Sequence, residues 1–200
     1  AIEKLTEEGA RVVAFSDSNG VVHDPGGIDV ALLKEVKLDE HGRASDYADR
    51  RSSASHEPDG DIWSIECDVA MPCATQNELD EDSARRLVEG GCMAVVEGAN
   101  MPCTPGAIAV LREGGVRLGP AKAANAGGVA ASALEMRQNA SRRPATFDEV
   151  DAELREIMRT IHDTCHVTST EYGDEGNYVL GANAAAVERV GRAMLDLGIV

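Results

Sequence analysis

The chain lacks the glycine-rich motifs that bind phosphates, since neither GxGxxG nor GxxxxGK[ST] occurs in its 200 residues. Basic residues are also few, with 19 Lys and Arg against 35 Asp and Glu and a net charge of −16. So acidic a chain is repelled by nucleic-acid phosphates and anionic membranes, and we expect neither as a partner. Aromatic residues make up only 3%, but 43% of the residues are hydrophobic and recur with clear periods. This pattern predicts a folded core of small side chains.

Cysteine pairs and long apolar runs are missing as well. The five cysteines include no CxxC pair, which argues against a disulfide framework or a zinc knuckle and favours a reducing, cytoplasmic location. No apolar run approaches the roughly 20 residues that span a bilayer, and the start of the chain has no signal-peptide pattern. His162 and His166 lie four residues apart, but without a third ligand they predict solvated side chains and no metal site.

Strand-like apolar runs alternate with helical patterns over the first two thirds of the chain. The predicted strands are Val12–Phe15, Cys67–Met71, Met93–Val96 and Val116–Leu118, and the predicted helices are Ile28–Val36, Glu78–Glu89 and Pro105–Arg112. This alternation is typical of βαβ units and predicts a parallel sheet covered on both faces. Residues 37–61 have no hydrophobic period, so we expect a mobile surface segment with little helix there.

From residue 127 onward the pattern becomes helical. Thr146 and Glu149 form a capping-box pattern ahead of a long amphipathic stretch, and a last helix is predicted to end at Gly198. At the other end of the chain, Ile2 and Leu5 predict a short helix for which the sequence offers no cap.

Small and polar residues follow each predicted strand, in the segments "SDSNG", "PCATQNEL", "EGANMPCTP" and "GPAKAANAGGV". Any one of these segments alone is better explained as an ordinary turn. Four of them at the carboxyl ends of parallel strands predict a ligand site. Within them, Asp17 lies between two serines. An acidic side chain suits a ribose hydroxyl and serines suit a ribose phosphate, so these residues leave open which of the two groups a ligand would carry. Asn100 and Asn125 suit either a turn or the recognition of a carboxamide such as that of nicotinamide.

Several longer stretches carry a family resemblance. These are "CDVAMPCATQNELDEDSARRLV", "VVEGANMPCTP", "GPAKAANAGGVAASALEMRQNASR", "IHDTC" and "NYVLGAN". They closely resemble the C-terminal, coenzyme-binding part of glutamate dehydrogenases of the hexameric type. The resemblance implies an α/β, Rossmann-like, doubly wound and mostly parallel sheet, lacking its first strand and glycine-rich turn and followed by C-terminal helices. Residues 1–126 would be an incomplete dinucleotide-binding domain, and residues 127–200 a helical segment returning toward a substrate domain.

The resemblance also implies roles for individual residues. The coenzyme would be bound by Ser16, Asp17, Ser18, Ala74, Thr75, Gln76, Asn100 and Asn125, and the substrate by Asn125, Val129 and Ser132. "SDS" at residues 16–18 resembles members that prefer NADP over NAD. Cys103 and Gly106 depart from the pattern, which usually has Thr and Glu at these positions.

The implied activity is the reversible deamination of L-glutamate to 2-oxoglutarate and ammonia with NADP, carried out by a homo-oligomer, a hexamer by resemblance. The catalytic Lys and Asp of the family belong to the substrate domain and are not matched in this chain. We therefore expect a chain truncated at its N-terminus and inactive alone. The alternative is a stand-alone, catalytically silent module that binds a nucleotide or joins subunits.

Overall fold

The computed structural model describes residues 1–198, and their contacts divide the chain into two compact units with the boundary between Cys67 and Asp68. The predicted division into an incomplete dinucleotide-binding domain, residues 1–126, and a helical segment from residue 127 onward stays a prediction. Residues 199 and 200, the end of the predicted helical segment, lie outside the described residues. None of the helices within residues 1–198 combines the length and the apolar composition of a membrane-spanning segment.

The first unit contains a three-stranded antiparallel sheet and three short helices. Its elements are α1 (Ile2–Glu7), β1 (Ala14–Asp17), β2 (Gly20–His23), α2 (Val30–Lys34), α3 (Ala44–Arg50) and β3 (Ser55–Glu57), with a single π turn at Glu35–Asp39 and a 3₁₀ turn at Ile62–Ser64. The strand order is β1-β2-β3. Ala1 occupies the N-cap position of α1 and has no side-chain acceptor.

The first predicted strand was expected to be parallel to the others, and this was wrong. β1 is antiparallel to β2, with Phe15 opposite Val22 and Asp17 opposite Gly20. Only two residues separate the strands, which suffices for a hairpin but is far too short for the crossover between parallel strands. Gly20 has a φ of 137° and lies against the backbone of Glu57, so a side chain there would collide with the third strand.

The prediction that residues 37–61 form a mobile segment was also wrong, because this segment contains α3 and β3. Ala44 and Tyr47 of α3 are fully buried, and the Tyr47 ring meets Phe15 edge-on with 5.5 Å between centroids. The Tyr47 hydroxyl accepts a 2.8 Å hydrogen bond from the backbone N–H of Asp29. A few well-placed side chains thus anchor a segment that has no hydrophobic period.

The second unit contains the predicted parallel sheet, in the order β4-β5-β6. Its strands are β4 (Val69–Ala70), β5 (Ala94–Val96) and β6 (Arg117–Gly119), connected by α4 (Glu81–Glu89) and α5 (Pro105–Glu113). The start of α4 is set by Asp80, whose carboxylate accepts the N–H of Ser83, and the start of α5 by Thr104, whose hydroxyl accepts the N–H of Ala107. The α/β class and the strands and helices predicted in this region are confirmed.

From Ala121 onward the described residues form only helices and connecting turns. These helices are α6 (Ala121–Ala124), α7 (Ala126–Ser141), α8 (Phe147–Glu171) and α9 (Tyr178–Leu197). The capping box at the start of α8 is confirmed, since Glu149 N–H donates to the Thr146 hydroxyl and Thr146 N–H donates to the Glu149 carboxylate. Where α8 and α9 cross, a side chain at Gly181 would collide with the carbonyl oxygen of Cys165. The close approach of these two helices therefore requires glycine at position 181.

We expect Gly181→Ala to lower the free energy of unfolding by about 1–3 kcal/mol, the usual cost of overpacking, because the added methyl group meets rigid backbone. Gly191→Ala on the same helix is the matched control, since a methyl group there meets nothing within 4 Å and should be neutral or stabilise by up to about 1 kcal/mol. Urea denaturation followed by circular dichroism compares the two. Equal midpoints for both variants would contradict the helix-crossing interpretation.

Candidate functional site

The loops that follow β4, β5 and β6 are hydrogen-bonded to one another at the carboxyl edge of the parallel sheet. Gly98 N–H and Ala99 N–H both donate to the carbonyl oxygen of Pro72 at 3.0 Å, and Asn77 N–H donates to the carbonyl of Met101 at 3.0 Å. The side-chain amide of Asn125 donates to the carbonyl of Ala99 at 3.0 Å. Three segments far apart in sequence thereby form one continuous edge, where ligands of open α/β sheets bind.

The predicted coenzyme residues of the first of these loops, residues 74–76, are exposed. The backbone N–H groups of Ala74 and Thr75 donate to one carboxylate oxygen of Glu78, at 2.8 and 3.3 Å. Their donors are thus already engaged within the protein. What this loop presents outward is the Thr75 hydroxyl and the Gln76 carboxamide.

The two predicted asparagines lie at this edge in different settings. Asn100 is exposed, at the tip of the loop after β5, whereas Asn125 is half-buried and precedes the first residue of α7. The bond from Asn125 to Ala99 joins the two loops and fixes the orientation of the Asn125 carboxamide. The structure thus joins Asn125 to Ala99, the residue before Asn100, whereas the sequence only predicted both asparagines to be at strand ends.

A buried carboxylate that sequence reasoning missed lies beneath these loops. Glu97, at the end of β5, is 4% exposed. Its two oxygens accept the N–H groups of Cys103 at 3.2 Å and Ala121 at 2.7 Å. Burial, together with the negative charge of Glu97, raises the pKa of the Cys103 thiol, which therefore stays protonated. The available signal was a single acidic residue directly after an apolar strand, in "AVVEGAN".

The predicted substrate residues share one face of the start of α7. Asn125, Val129 and Ser132 are spaced by four and three residues, the spacing of one helical face. Val129 is 77% exposed, although it is apolar. The Ser132 hydroxyl is also exposed and donates to the carbonyl of Gly128 at 3.3 Å within the helix.

In the first unit, Asp17 is engaged within the protein. Its carboxylate accepts the N–H of Asn19 at 2.8 Å, the N–H of Ala44 at 3.0 Å and the ammonium group of Lys37 at 2.6 Å. Burial by itself would raise the pKa of Asp17, but the bonds from Lys37 and the two N–H groups outweigh it and lower the pKa. Asp17 therefore holds the hairpin turn against α3, and a direct contact with coenzyme stays a prediction.

The serines on either side of Asp17 are exposed. A nitrogen of the Arg43 guanidinium donates to the Ser18 hydroxyl at 3.0 Å. Arg43 was missed by sequence reasoning because it lies in the segment that was expected to have little structure. The arrangement places a permanent positive charge beside a serine hydroxyl, a combination that suits an anionic oxygen.

Two other polar side chains, Lys122 and His162, take no part in the hydrogen bonds that join these loops. Lys122 is exposed, and its ammonium group donates to the side-chain oxygen of Asn183 at 2.5 Å. His162 is exposed and contacts Asp163 and Tyr178. Within residues 1–198, no cluster of three or more His, Cys, Asp and Glu side chains is arranged to hold a metal ion.

A parallel sheet with carboxamide-bearing loops at its carboxyl edge defines the class, an open α/β domain of the kind that binds ligands beyond its strand ends. The chain belongs to the glutamate/leucine/phenylalanine/valine dehydrogenase family, whose model matches residues 1–198. It is 48% identical over 206 residues to the NADP-specific glutamate dehydrogenase of Escherichia coli K12, covering 100% of this chain and 45% of that protein. It is 44% identical to the NADP-specific enzyme of Helicobacter pylori J99, covering 99% of this chain and 46% of that protein.

A solved structure of Plasmodium falciparum glutamate dehydrogenase matches with a TM-score of 0.95 and 38% identity, covering 100% of this chain and 44% of that chain. The chain therefore spans somewhat under half the length of the relatives that it matches.

Asp17→Asn should lower the free energy of unfolding at pH 7 by about 1.5–3 kcal/mol, the usual range for hydrogen bonds to a charged group. The pKa of Asp17 is below its ordinary value of 3.8, so the carboxylate stabilises the fold fully above about pH 3.8 and loses this contribution as the pH falls through the lower value of the folded state. The difference between wild type and variant should narrow in acid.

Urea denaturation from pH 7 down to the lowest pH at which the chain stays folded measures this. Asp49→Asn, which alters an exposed carboxylate on α3, is the control and should change the unfolding free energy by less than about 0.5 kcal/mol. A difference for Asp17→Asn that does not depend on pH would contradict the role of its charge.

Proposed function

We propose that the chain is the coenzyme-binding part of an NADP-dependent glutamate dehydrogenase, which interconverts L-glutamate with 2-oxoglutarate and ammonia. The observation that carries the proposal is the match of the whole chain, including the three bonded loops, to the fold of a glutamate dehydrogenase with a TM-score of 0.95. NADP is supported by the names of the relatives from E. coli and H. pylori. One relative, from Xylanibacter ruminicola, is NAD(P)-specific.

The first unit favours a coenzyme with a phosphate on its adenosine ribose. A free carboxylate at Asp17 would repel such a phosphate, but its charge is paired with Lys37 at 2.6 Å. The hydroxyls of Ser16 and Ser18 and the guanidinium of Arg43 are exposed beside it and supply donors and one positive charge. These residues fit a 2′-phosphate better than a 2′-hydroxyl, which a free acidic side chain would bind.

The second unit supplies groups suited to the nicotinamide end and the substrate. When bound, the coenzyme accepts or returns the hydride, while the protein provides orientation. The carboxamides of Asn100 and Asn125 offer donors and an acceptor to the nicotinamide carboxamide and its ribose, with Ala74, Thr75 and Gln76 alongside. The Ser132 hydroxyl would donate to a substrate carboxylate, and the exposed Val129 would cover the substrate's apolar carbons.

Catalytic proton transfer, in this proposal, belongs to a Lys and an Asp of a separate substrate domain, so the chain alone is expected to show no turnover. Assembly into a hexamer is supported by the hetero-hexameric glutamate dehydrogenase of Thermus thermophilus, which is 26% identical. A cytoplasmic location is supported by the cysteine pattern of the sequence, an odd number with no CxxC pair.

A chimera tests the proposal. The part of the E. coli relative that precedes the matched region is joined ahead of Ala1, and glutamate-dependent formation of NADPH is followed by absorbance. We expect turnover by the chimera and none by the chain alone. A second chimera, with the catalytic lysine of the E. coli part replaced, controls for contaminating host enzyme. A folded chimera without turnover would contradict the proposal and favour the silent nucleotide-binding or subunit-joining module.

Arg43→Ala should weaken NADPH binding by about 10- to 100-fold, as expected for the loss of a charge-assisted hydrogen bond. NADH binding should change by less than threefold, because NADH lacks the 2′-phosphate. Titrations of the chimera followed by coenzyme fluorescence measure both. Arg50→Ala is the control, since the Arg50 side chain is paired with Glu40 and Glu35, away from the serines. Equal losses for the two coenzymes would show that Arg43 does not bind the phosphate.

A further inference from the structure

We propose that Glu97 is a positioning residue that holds the carboxamides of Asn100 and Asn125 in place for hydride transfer. This inference rests on the proposed function, because it assumes that these carboxamides bind the nicotinamide end of the coenzyme. The supporting observation is the buried carboxylate of Glu97. One of its oxygens is hydrogen-bonded to the loop that carries Asn100, and the other is hydrogen-bonded to the segment that leads to Asn125.

The hydrogen bonds of Glu97 bind it to two segments at once. One oxygen accepts the N–H of Cys103, so residues 97–103 close into a loop whose tip is Asn100. The other oxygen accepts the N–H of Ala121, the first residue of α6, at 2.7 Å. One turn of α6 separates Ala121 from Asn125, which donates back to Ala99. The three bonds form a closed circuit through both loops.

The chemistry of the site requires a carboxylate. The residue before α6 is Pro120, which has no side-chain acceptor, and no side chain within α6 caps its start. Glu97 supplies that missing acceptor from a neighbouring strand. Among the described residues, no Lys or Arg forms an ion pair with Glu97, so the buried carboxylate is stabilised by hydrogen bonds from the two backbone N–H groups and the Cys103 thiol. A glutamine offers one acceptor oxygen, and its NH₂ group would face the second N–H donor.

Loss of this circuit should affect the reaction more than it affects coenzyme binding. Hydride transfer depends on close alignment of the reacting carbons, and a shift of about 1 Å can cost on the order of 100-fold in rate. The groups proposed to bind the 2′-phosphate lie in the first unit and do not depend on Glu97. We therefore expect Glu97→Gln to lower kcat by about 10- to 100-fold, while the Kd for NADPH changes less than threefold.

The experiment measures kcat, the KM for glutamate and the Kd for NADPH in the chimera for wild type, Glu97→Gln and Glu97→Asp. Aspartate keeps both oxygens but is one methylene shorter, so it should restore part of kcat. Leu87→Ala is the control for general destabilisation, since Leu87 is 2% exposed and lies at the far end of α4, away from the loops. In that variant kcat per folded molecule should stay at the wild-type value.

A double variant separates positioning from a structural role. If Glu97 acts through Asn125, Glu97→Gln should cost much less in kcat when Asn125 is already alanine. Full additivity would overturn the proposal, as would an unchanged kcat in folded Glu97→Gln or an equal loss in Leu87→Ala.

Hydrogen exchange of the chimera tests this inference separately from the proposed function, because it does not require turnover. In Glu97→Gln, residues 98–104 and 120–126 should exchange faster, and residues 44–57 of the first unit should not change. If the wild-type chimera has no turnover, the proposed function fails, but faster exchange confined to the two loops still supports the positioning role. Unchanged exchange in both loops overturns it.

Discussion

Backbone N–H groups at the ends of parallel strands must find acceptors, and the candidate site depends on how this chain supplies them. The carbonyl of Pro72 accepts two N–H groups of the next loop, and the carbonyl of Met101 accepts one in the opposite direction. The carboxylate of Glu97 accepts two more, from segments on either side. The edge is therefore built mainly from backbone, which explains its many small residues. Large side chains would separate the loops and leave buried donors unpaired.

The net negative charge of the chain would repel the anionic coenzyme proposed for it, but charges near the proposed site are paired locally. The net charge of −16 is spread over the whole chain, whereas binding depends on the charges within a few ångströms of the ligand, since salt screens the rest. At the hairpin, Lys37 is paired with Asp17, and Arg43 lies beside Ser18. In the second unit, Glu97 is buried beneath the loops and away from solvent. The local balance favours an anion even though the net charge does not.

The sequence predicted the features that depend on periodicity and missed those that depend on single contacts. The parallel strands, α4, α5 and the capping box follow from patterns of several residues, and the structure confirmed them. The predicted direction of β1 was wrong because an apolar run indicates that a strand forms but does not indicate which strand it pairs with. The prediction for the segment containing α3 was wrong because the buried side chains of Ala44 and Tyr47 anchor this segment, although it has no hydrophobic period. Arg43 and Glu97 could not be assigned from sequence, since their roles arise from contacts across 25 and 24 residues.

The pairing of Cys103 with the Glu97 carboxylate has a further consequence for chemical durability. Oxidants and electrophiles react with the thiolate form of cysteine. Burial and the adjacent negative charge keep this thiol protonated, so the loop that carries Asn100 resists sulfenic acid formation and alkylation from within. Cys73, on the neighbouring loop, is exposed and is the more accessible sulfur at the same edge, although partial burial also raises the pKa of its thiol. Damage at this edge of the molecule would therefore begin beside the site while its buried hydrogen-bonded support stays chemically intact.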